Sequence, residues 1–196
     1  MSAADPSAWT QTSGNSCDGV PFALPAIHSF PPFYTRQPTE ATRTRQLELW
    51  SDLMLAYHQS RQCTRVLLDD LLTSELCQNK SIHRSLSREF LLEILEALVA
   101  KGAGDAEWID GTHRECLIYW RRPDSWAQLI YHWVTETGQR GSVLTLHEIT
   151  HGDMAASQEF YRLDDSVLRK ALAVLVGKGH AQVFSTGDGD SGVKFF

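Results

Sequence analysis

The chain has 196 residues, of which 42% are hydrophobic and 21% charged, and its formal net charge is −6. This composition is typical of a soluble protein with one large or two small domains, and no apolar run is long enough to span a membrane. The acidic balance argues against a dedicated nucleic-acid-binding protein, which usually needs a basic face. The four cysteines form no CxxC pair, and we expect reduced thiols in a cytoplasmic protein.

The amino-acid composition of the N-terminal part of the chain changes near residue 26. Residues 1–25 are rich in Ser, Ala, Gly and Pro, which predicts a disordered tail. The next residues, 27–38, combine three prolines with large apolar side chains, and proline favours extended, polyproline-like backbone. We name their centre the proline-aromatic segment, and it consists of Phe30, Pro31, Pro32, Phe33 and Tyr34. A stiff apolar strip of this kind packs on its own domain or docks on a partner.

Two stretches of the chain then repeat one order of elements. Apolar residues at three-to-four spacing predict helices, and alternating segments beside turn residues predict strands. In the first stretch the predicted helices are 42–57, 66–72 and 87–101, and the strands are 107–109 and 116–120. In the second stretch the predicted helices are 126–137, 146–150 and 165–178. The predicted extended segments are a short piece at 143–144 and strands at 181–184 and 193–196.

The repeat predicts the fold class. Leu91 aligns with Leu168, and the Lys-Gly pair that ends the helix at residue 101 recurs at residue 178. Three helices followed by a strand hairpin form the winged-helix plan. We therefore predict an α+β, mainly helical protein with two tandem winged-helix domains, 26–120 and 121–196, each with three helices and a two-stranded wing. The short connection at 121–124 predicts that the two domains act as one rod.

DNA binding is the first alternative function for such a fold. A winged helix that reads DNA places its third helix in the major groove, where basic side chains meet phosphates. The helix at 87–101 carries Glu89, Glu93 and Glu96, which would repel phosphates. The helix at 165–178 is weakly basic. We expect no nucleic acid among the partners, and a DNA-binding regulator remains the alternative.

A zinc-hydrolase motif is the second alternative. Residues 147–151 read His-Glu-Ile-Thr-His, which matches the pattern of two histidines one helical turn apart and a glutamate that activates the metal water. A catalytic site needs a third ligand. The extended pattern would place it at residue 157, which is serine, and Glu159 is the last glutamate of the chain. We therefore treat the match as accidental and predict no catalytic, cofactor-binding or metal-binding residue.

Several sequence blocks resemble the small subunit of the ESCRT-II complex, the vacuolar protein sorting-associated protein 25 family. The resemblance extends from about residue 28 to the end of the chain. The blocks that carry it are SFPPFYTRQP at 29–38, WRRPDSW at 120–126, LIYHW at 129–133 and GVKFF at 192–196. The resemblance implies two winged helices per subunit and a structural adaptor in place of an enzyme. It also implies that histidine is not expected at both ends of the HExxH match.

The same resemblance implies partners and a location. Two copies of the small subunit join two larger ESCRT-II subunits, and the proline-aromatic segment, Phe30 to Tyr34, docks in a hydrophobic pocket on each. The second winged helix recruits an ESCRT-III subunit during multivesicular body sorting of ubiquitinated cargo. The resemblance further implies a cytoplasmic protein that is recruited to endosomal membranes indirectly, through its complex. From predicted exposure, the candidate contacts for the ESCRT-III subunit are Phe160, Tyr161, Arg162 and Phe196.

A competing interpretation of the proline-aromatic segment is a ligand for WW domains, which bind PPxY sequences. Such ligands usually lie in flexible tails. The flanking apolar residues Ile27 and Phe30 favour docking within a complex.

Overall fold

The computed structural model describes residues 22–100, 104–185 and 191–196. The predicted α+β fold with small antiparallel sheets is confirmed. The helices are α1 Glu40–Arg61, α2 Leu68–Thr73, α3 Arg88–Ala100, α4 Pro123–Glu136, α5 Leu146–His151 and α6 Asp165–Gly177. The strands are β1 Arg65–Leu67, β2 Gln78–Asn79, β3 Arg84–Ser85, β4 Ala106–Trp108, β5 Glu115–Ile118, β6 Val143–Thr145, β7 Ala181–Ser185 and β8 Ser191–Phe195. Short 3-10 turns span Ala26–Ser29, Pro31–Tyr34 and Asp153–Ala155.

Each wing gains a third strand that the sequence analysis did not predict as part of the sheet. The sheets run β1-β5-β4 and β6-β8-β7, and all their pairs are antiparallel. Val66 and Leu67, predicted to be helical, lie in β1, where Val66 pairs with Cys116. Three residues are too few to show an alternating pattern, and a β-branched valine suits a strand. The two-residue strands β2 and β3 escaped prediction for the same reason.

The apolar helix faces fill two clusters of buried side chains. One lies among α1, α2, α3 and the β1-β5-β4 sheet, and the other lies among α4, α5, α6 and the β6-β8-β7 sheet. Leu91, Leu95 and Leu98 of α3 are fully buried, as their spacing predicts. The matching positions of α6, Leu168, Leu172 and Leu175, are buried in the second cluster.

One strand contributes to both clusters. Cys116 and Ile118 of β5 lie in the first cluster, whereas Leu117 and the adjacent Tyr119 lie in the second. Successive side chains of a strand point to opposite faces, so a single strand can serve two cores. The two halves therefore share a packed interface in addition to the short connection at 121–124. The boundary between 120 and 121 falls just after this strand, and the division into domains 26–120 and 121–196 stays a prediction.

Two cationic side chains tie α6 to the first sheet. Arg65 donates to Asp164 Oδ2 at 2.8 Å, to Glu115 Oε2 at 3.0 Å and to Ser166 Oγ at 3.1 Å. Asp164 is the N-cap of α6 and is only 9% exposed at its side chain. Burial alone would raise the pKa of Asp164, but the Arg65 guanidinium and the Ser166 amide outweigh it and hold that pKa below its usual range.

Lys170 makes the second connection. It donates to Glu107 and, at 2.9 Å, to the Tyr119 hydroxyl. The hydrogen bond from Lys170 lowers the pKa of the Glu107 carboxyl, although partial burial opposes it. Both ionic contacts therefore join residues of the first sheet to one face of α6.

Two predictions about the N-terminal part and the cysteines need correction. Residues 1–21 of the predicted tail lie outside the described residues, but Phe22 and Leu24 pack against the first core, where Phe22 meets the Tyr57 ring at 5.5 Å. The predicted tail is therefore too long, because these two side chains can bury apolar surface. Cys77 and Cys116 are free and buried. Cys63 is disulfide-bonded, so the expectation of four reduced thiols is wrong there.

We expect the Arg65→Met variant to lower the free energy of unfolding by about 2 kcal/mol, because it leaves the carboxylate of Asp164 buried without its charged donor. The Arg45→Met variant is the matched control, since Arg45 and Glu48 form an exposed pair worth at most about 0.5 kcal/mol. Urea denaturation measures both values. Equal losses in the two variants would contradict a structural role for Arg65.

The same pair predicts a pH dependence. Because the folded-state pKa of Asp164 lies below its unfolded value, its contribution to stability is complete at neutral pH and is lost as the pH falls through that low folded-state pKa. The stability difference between the parent chain and Arg65→Met should therefore shrink below about pH 4. Denaturation curves at a series of pH values test this, and a difference that is constant into strong acid would contradict it.

Candidate protein-docking site

The proline-aromatic segment is not extended, so that expectation is wrong. Residues 31–34 form a 3-10 turn in which the Phe33 amide donates to the Phe30 carbonyl at 2.9 Å and the Thr35 amide to the Pro32 carbonyl at 3.2 Å. Pro31 and Pro32 occupy the first two positions of the turn. Proline suits these positions, because its φ is already helical and no amide donor is needed there.

Two side chains of α1 hold the backbone of this turn. The buried amide of Gln46 donates to the carbonyls of Phe33 at 2.8 Å and Thr35 at 2.9 Å. The indole of Trp50 also donates to the Phe33 carbonyl, at 2.9 Å. The side-chain oxygen of Gln46 accepts from the Gln37 amide at 3.1 Å. One helix face therefore satisfies the polar groups that the turn itself leaves unpaired.

Phe33 and Tyr34 point into the molecule. They are 3% and 5% exposed, and the Phe33 ring stacks on the Trp50 ring at 4.2 Å. The Tyr34 hydroxyl donates to the His28 carbonyl at 3.0 Å, and burial raises the pKa of Tyr34 to about 12. Both rings are thus buried in the free chain, and their contact with a partner stays a prediction. They belong to the protein's own first core, where both rings pack against the Trp50 ring.

Phe30, Pro31 and Pro32 form the exposed side of the segment. Phe30 is 56% exposed, and both prolines are exposed. We name these three residues the docking patch. A WW-domain ligand would have to present the Tyr34 ring, so the burial of that ring argues against the WW hypothesis.

Buried polar residues behind the turn were missed by the sequence analysis. His28 is only 3% exposed, and its Nε2 lies 3.0 Å from the Leu76 carbonyl oxygen. Asn79 donates to the His28 carbonyl at 2.8 Å. His58 is also buried, and burial lowers its pKa to about 4. The sequence held one signal of a buried polar group here: Gln46 lies one helical turn before Trp50, on the apolar face of α1.

The four candidates in the second half differ in exposure. Phe160 is 1% exposed and meets the Trp133 ring edge-on at 5.4 Å, so its predicted exposure is wrong. Tyr161 is half-buried beneath the exposed Arg162, whose guanidinium lies 5.4 Å from the ring centre. Phe196 is 45% exposed beside Lys194. None of the contacts described joins Phe196 to Tyr161 or Arg162.

The structure also bears on the DNA alternative. Lys170 is engaged by the first sheet, and Arg169 lies 3.4 Å from Asp165. On α3, Glu93 pairs with Arg36 at 2.5 Å and with Arg43 at 3.6 Å, so this carboxylate repels phosphates less than the sequence alone indicates. The weakly basic face of α6 is therefore largely neutralised within the chain, which argues against a helix that reads DNA.

The HExxH match lies on α5. The Glu148 carboxylate accepts from the Thr145 amide at 2.7 Å and from its hydroxyl at 2.9 Å, as the acid of a capping box. Within the residues that the structure describes, no group of three or more His, Cys, Asp or Glu side chains is placed to hold a metal ion. The catalytic pattern, with its third ligand and free glutamate, is not assembled.

Comparison with known proteins places the chain in a family. A family model of ESCRT-II complex subunits matches residues 27–164. Vacuolar protein-sorting-associated protein 25 of Danio rerio is 40% identical over 175 residues, covering 89% of this chain and 99% of the relative. The protein of the same name from Arabidopsis thaliana is 38% identical over 175 residues, covering 89% and 96%. The chain belongs to the ESCRT-II complex subunit family.

Solved structures agree in fold. The crystal structure of subunit VPS25 of the endosomal trafficking complex ESCRT-II superposes with a TM-score of 0.77 at 31% identity, covering 88% of this chain and 98% of that one. A chain of the ESCRT-II complex (VPS22/VPS25/VPS36) gives a TM-score of 0.75 at 30% identity, covering 88% and 98%. Among the described helices, none is both long and apolar enough to cross a bilayer.

We expect the Gln46→Met variant, which keeps the side-chain volume, to lose about 1–3 kcal/mol of unfolding free energy, because buried carbonyls lose their donor. Amide hydrogen exchange around residues 30–37 should speed up more than exchange in the second half. The control is Gln59→Met, an exposed glutamine of the same helix. Unchanged exchange in the turn would contradict the role of Gln46.

Proposed function

We propose that this chain is a structural adaptor subunit, without catalytic activity, of an endosomal sorting complex of the ESCRT-II type. The observation that carries the proposal is the docking patch, an exposed apolar surface held on a rigid turn. Phe30 is more than half exposed, yet the residues immediately after the patch are fixed by Gln46 and Trp50. An exposed apolar group on a rigid support is typical of a protein interface.

The partners proposed for the docking patch are the two larger subunits of the complex, which in a similar solved complex are VPS22 and VPS36. Two copies of this chain per complex would let each larger subunit receive one patch. Because the turn is already ordered in the free chain, docking loses little conformational entropy. Phe30 would fill an apolar pocket, and the two prolines would cover its rim.

Phe33 and Tyr34 take a supporting role in this proposal. Their rings fill the space between the turn and α1, and the stacked Phe33 and Trp50 rings set the distance of the turn from the helix. Phe33 and Tyr34 position the docking patch from its core side, without contacting the partner.

The second half is proposed to recruit an ESCRT-III subunit, with Tyr161, Arg162 and Phe196 as candidate contacts. The packing of β5 into both cores, together with the Arg65 and Lys170 contacts, supports a fixed orientation between this half and the docking patch. In this proposal the protein is cytoplasmic and reaches the endosomal membrane only through its complex, where it takes part in multivesicular body sorting of ubiquitinated cargo.

We expect the triple variant Phe30→Ala, Pro31→Ala, Pro32→Ala to remain folded but to lose co-purification with the two larger subunits. The substituted side chains are exposed and the Gln46 and Trp50 contacts to the turn remain, so the thermal midpoint should fall only by the small cost of replacing two prolines. Tyr34 is unsuitable for this test, because removal of its buried ring would disturb the core. Ile109→Ala, which trims another exposed apolar side chain, is the control. Normal co-purification of the triple variant would contradict the docking proposal.

We expect the double variant Arg162→Asn, Phe196→Ser to affect binding of the ESCRT-III subunit and to leave assembly with the larger subunits intact. It should assemble with the larger subunits but bind the ESCRT-III subunit more weakly, as measured by pull-down with the assembled complex. Asparagine is chosen because Arg162 has a φ of 60°, a left-handed conformation that asparagine tolerates. Unaltered ESCRT-III binding would remove these residues from the proposed contact.

A further inference from the structure

Two histidines on α5 have an arrangement that the adaptor function does not use. His147 and His151 are both exposed, and their rings stack almost in parallel, with centres 4.8 Å apart and planes 5° apart. We propose that they form a two-histidine chelating site for a divalent transition-metal ion of the zinc, nickel and copper class, on the surface of the second half and without hydrolytic activity.

The helix holds the two side chains in register. Residues four apart on an α-helix lie one above the other on one face, which is the ligand spacing of helical zinc sites. Although α5 has only six residues, it begins at a capping box on Thr145 and buries Leu146 and Ile149 in the second core. Both ligands are thus presented by a fixed backbone.

A buried threonine sets the tautomer of His151. The Thr150 hydroxyl lies 3.0 Å from the Leu146 carbonyl oxygen and 2.8 Å from His151 Nδ1. The carbonyl oxygen can only accept, so both contacts are hydrogen bonds only if Thr150 donates to Leu146 and His151 Nδ1–H donates to Thr150. His151 Nε2 then carries the free lone pair. A ligating histidine whose other nitrogen is held by a hydrogen bond is the usual arrangement at metal sites.

The ligand type selects the class of metal. Imidazole nitrogens favour zinc, copper and nickel over calcium and magnesium, which prefer oxygen. Two nitrogens that bind one tetrahedral zinc ion are about 3.4 Å apart. The rings stand parallel in the free chain, so the exposed His147 ring would rotate toward His151, which Thr150 holds, to reach that separation. Water would complete the coordination shell.

The surroundings explain why such a site would bind metal without hydrolysing a substrate. In a zinc hydrolase the glutamate of HExxH activates the metal-bound water, but here the Glu148 carboxylate is held by the Thr145 amide and hydroxyl. Tyr161 lies 6.1 Å from the His151 ring, and Arg162 lies over Tyr161. The nearby positive charge of Arg162 weakens cation binding, so we expect an exchangeable ion.

The test adds copper(II) or zinc(II) to the metal-free full-length chain near neutral pH. Calorimetry should show one equivalent of zinc bound, and electron paramagnetic resonance of the copper form should show two nitrogen ligands. His147→Gln and His151→Gln should each lower affinity by about tenfold or more and leave a one-nitrogen spectrum. The near-isosteric Thr150→Val variant should weaken binding less, because both ligating rings remain. It removes the acceptor of the Nδ1–H and also the hydrogen bond of the hydroxyl to the Leu146 carbonyl.

His132→Gln is the matched control, since His132 is an exposed helical histidine paired one turn away with Glu136 instead of a second histidine. It should leave metal affinity unchanged. The proposal is wrong if both single variants at 147 and 151 bind as the parent does, or if the parent gives only a one-nitrogen spectrum. Both ligands are exposed, so these variants should keep the parent's thermal midpoint, which circular dichroism checks.

Discussion

The hydrogen bonds from Gln46 and Trp50 to the backbone of the proline-aromatic segment are the constraint on which the candidate site depends. They turn a proline-rich strip into a 3-10 turn with two faces. Its inner face completes the first core, and its outer face is the docking patch. A buried amide that is fully hydrogen-bonded specifies one conformation, because any other conformation leaves polar groups unpaired. The same contact therefore stabilises the fold and orients the surface proposed to meet a partner.

The second organising feature is the shared use of the first sheet. β5 contributes side chains to both cores, and Arg65 and Lys170 connect the edges of that sheet to α6. The basic residues of α6, which in isolation suggested contact with phosphates, serve partly as internal ion-pair partners. Because these residues are paired within the chain, they are less available to phosphates. A fold often used for DNA recognition can therefore serve protein assembly instead.

The sequence allowed the helices, the two repeats and the family to be predicted, because long amphipathic helices and a specific motif give strong signals. The Leu91 and Leu168 faces are buried as their spacing indicates. The short strands could not be predicted, because two or three residues show no period. The exposure of Phe160 was misjudged, and the packing of Phe33 and Tyr34 was left open, because local pattern does not show which distant ring covers an aromatic side chain. Here Trp50 and Trp133 do so. The buried His28 depends on Leu76 and Asn79, far away in sequence.

The contribution of β5 to both cores has a consequence for how the protein unfolds. If the chain were cut after Tyr119, the first half would carry Leu117 and Tyr119 as bare apolar side chains, and the second half would lose part of its interior. Neither fragment would be a self-sufficient folding unit, so the two repeats should melt together in one cooperative transition. A truncated product would expose apolar surface and would become a substrate for chaperones and proteases.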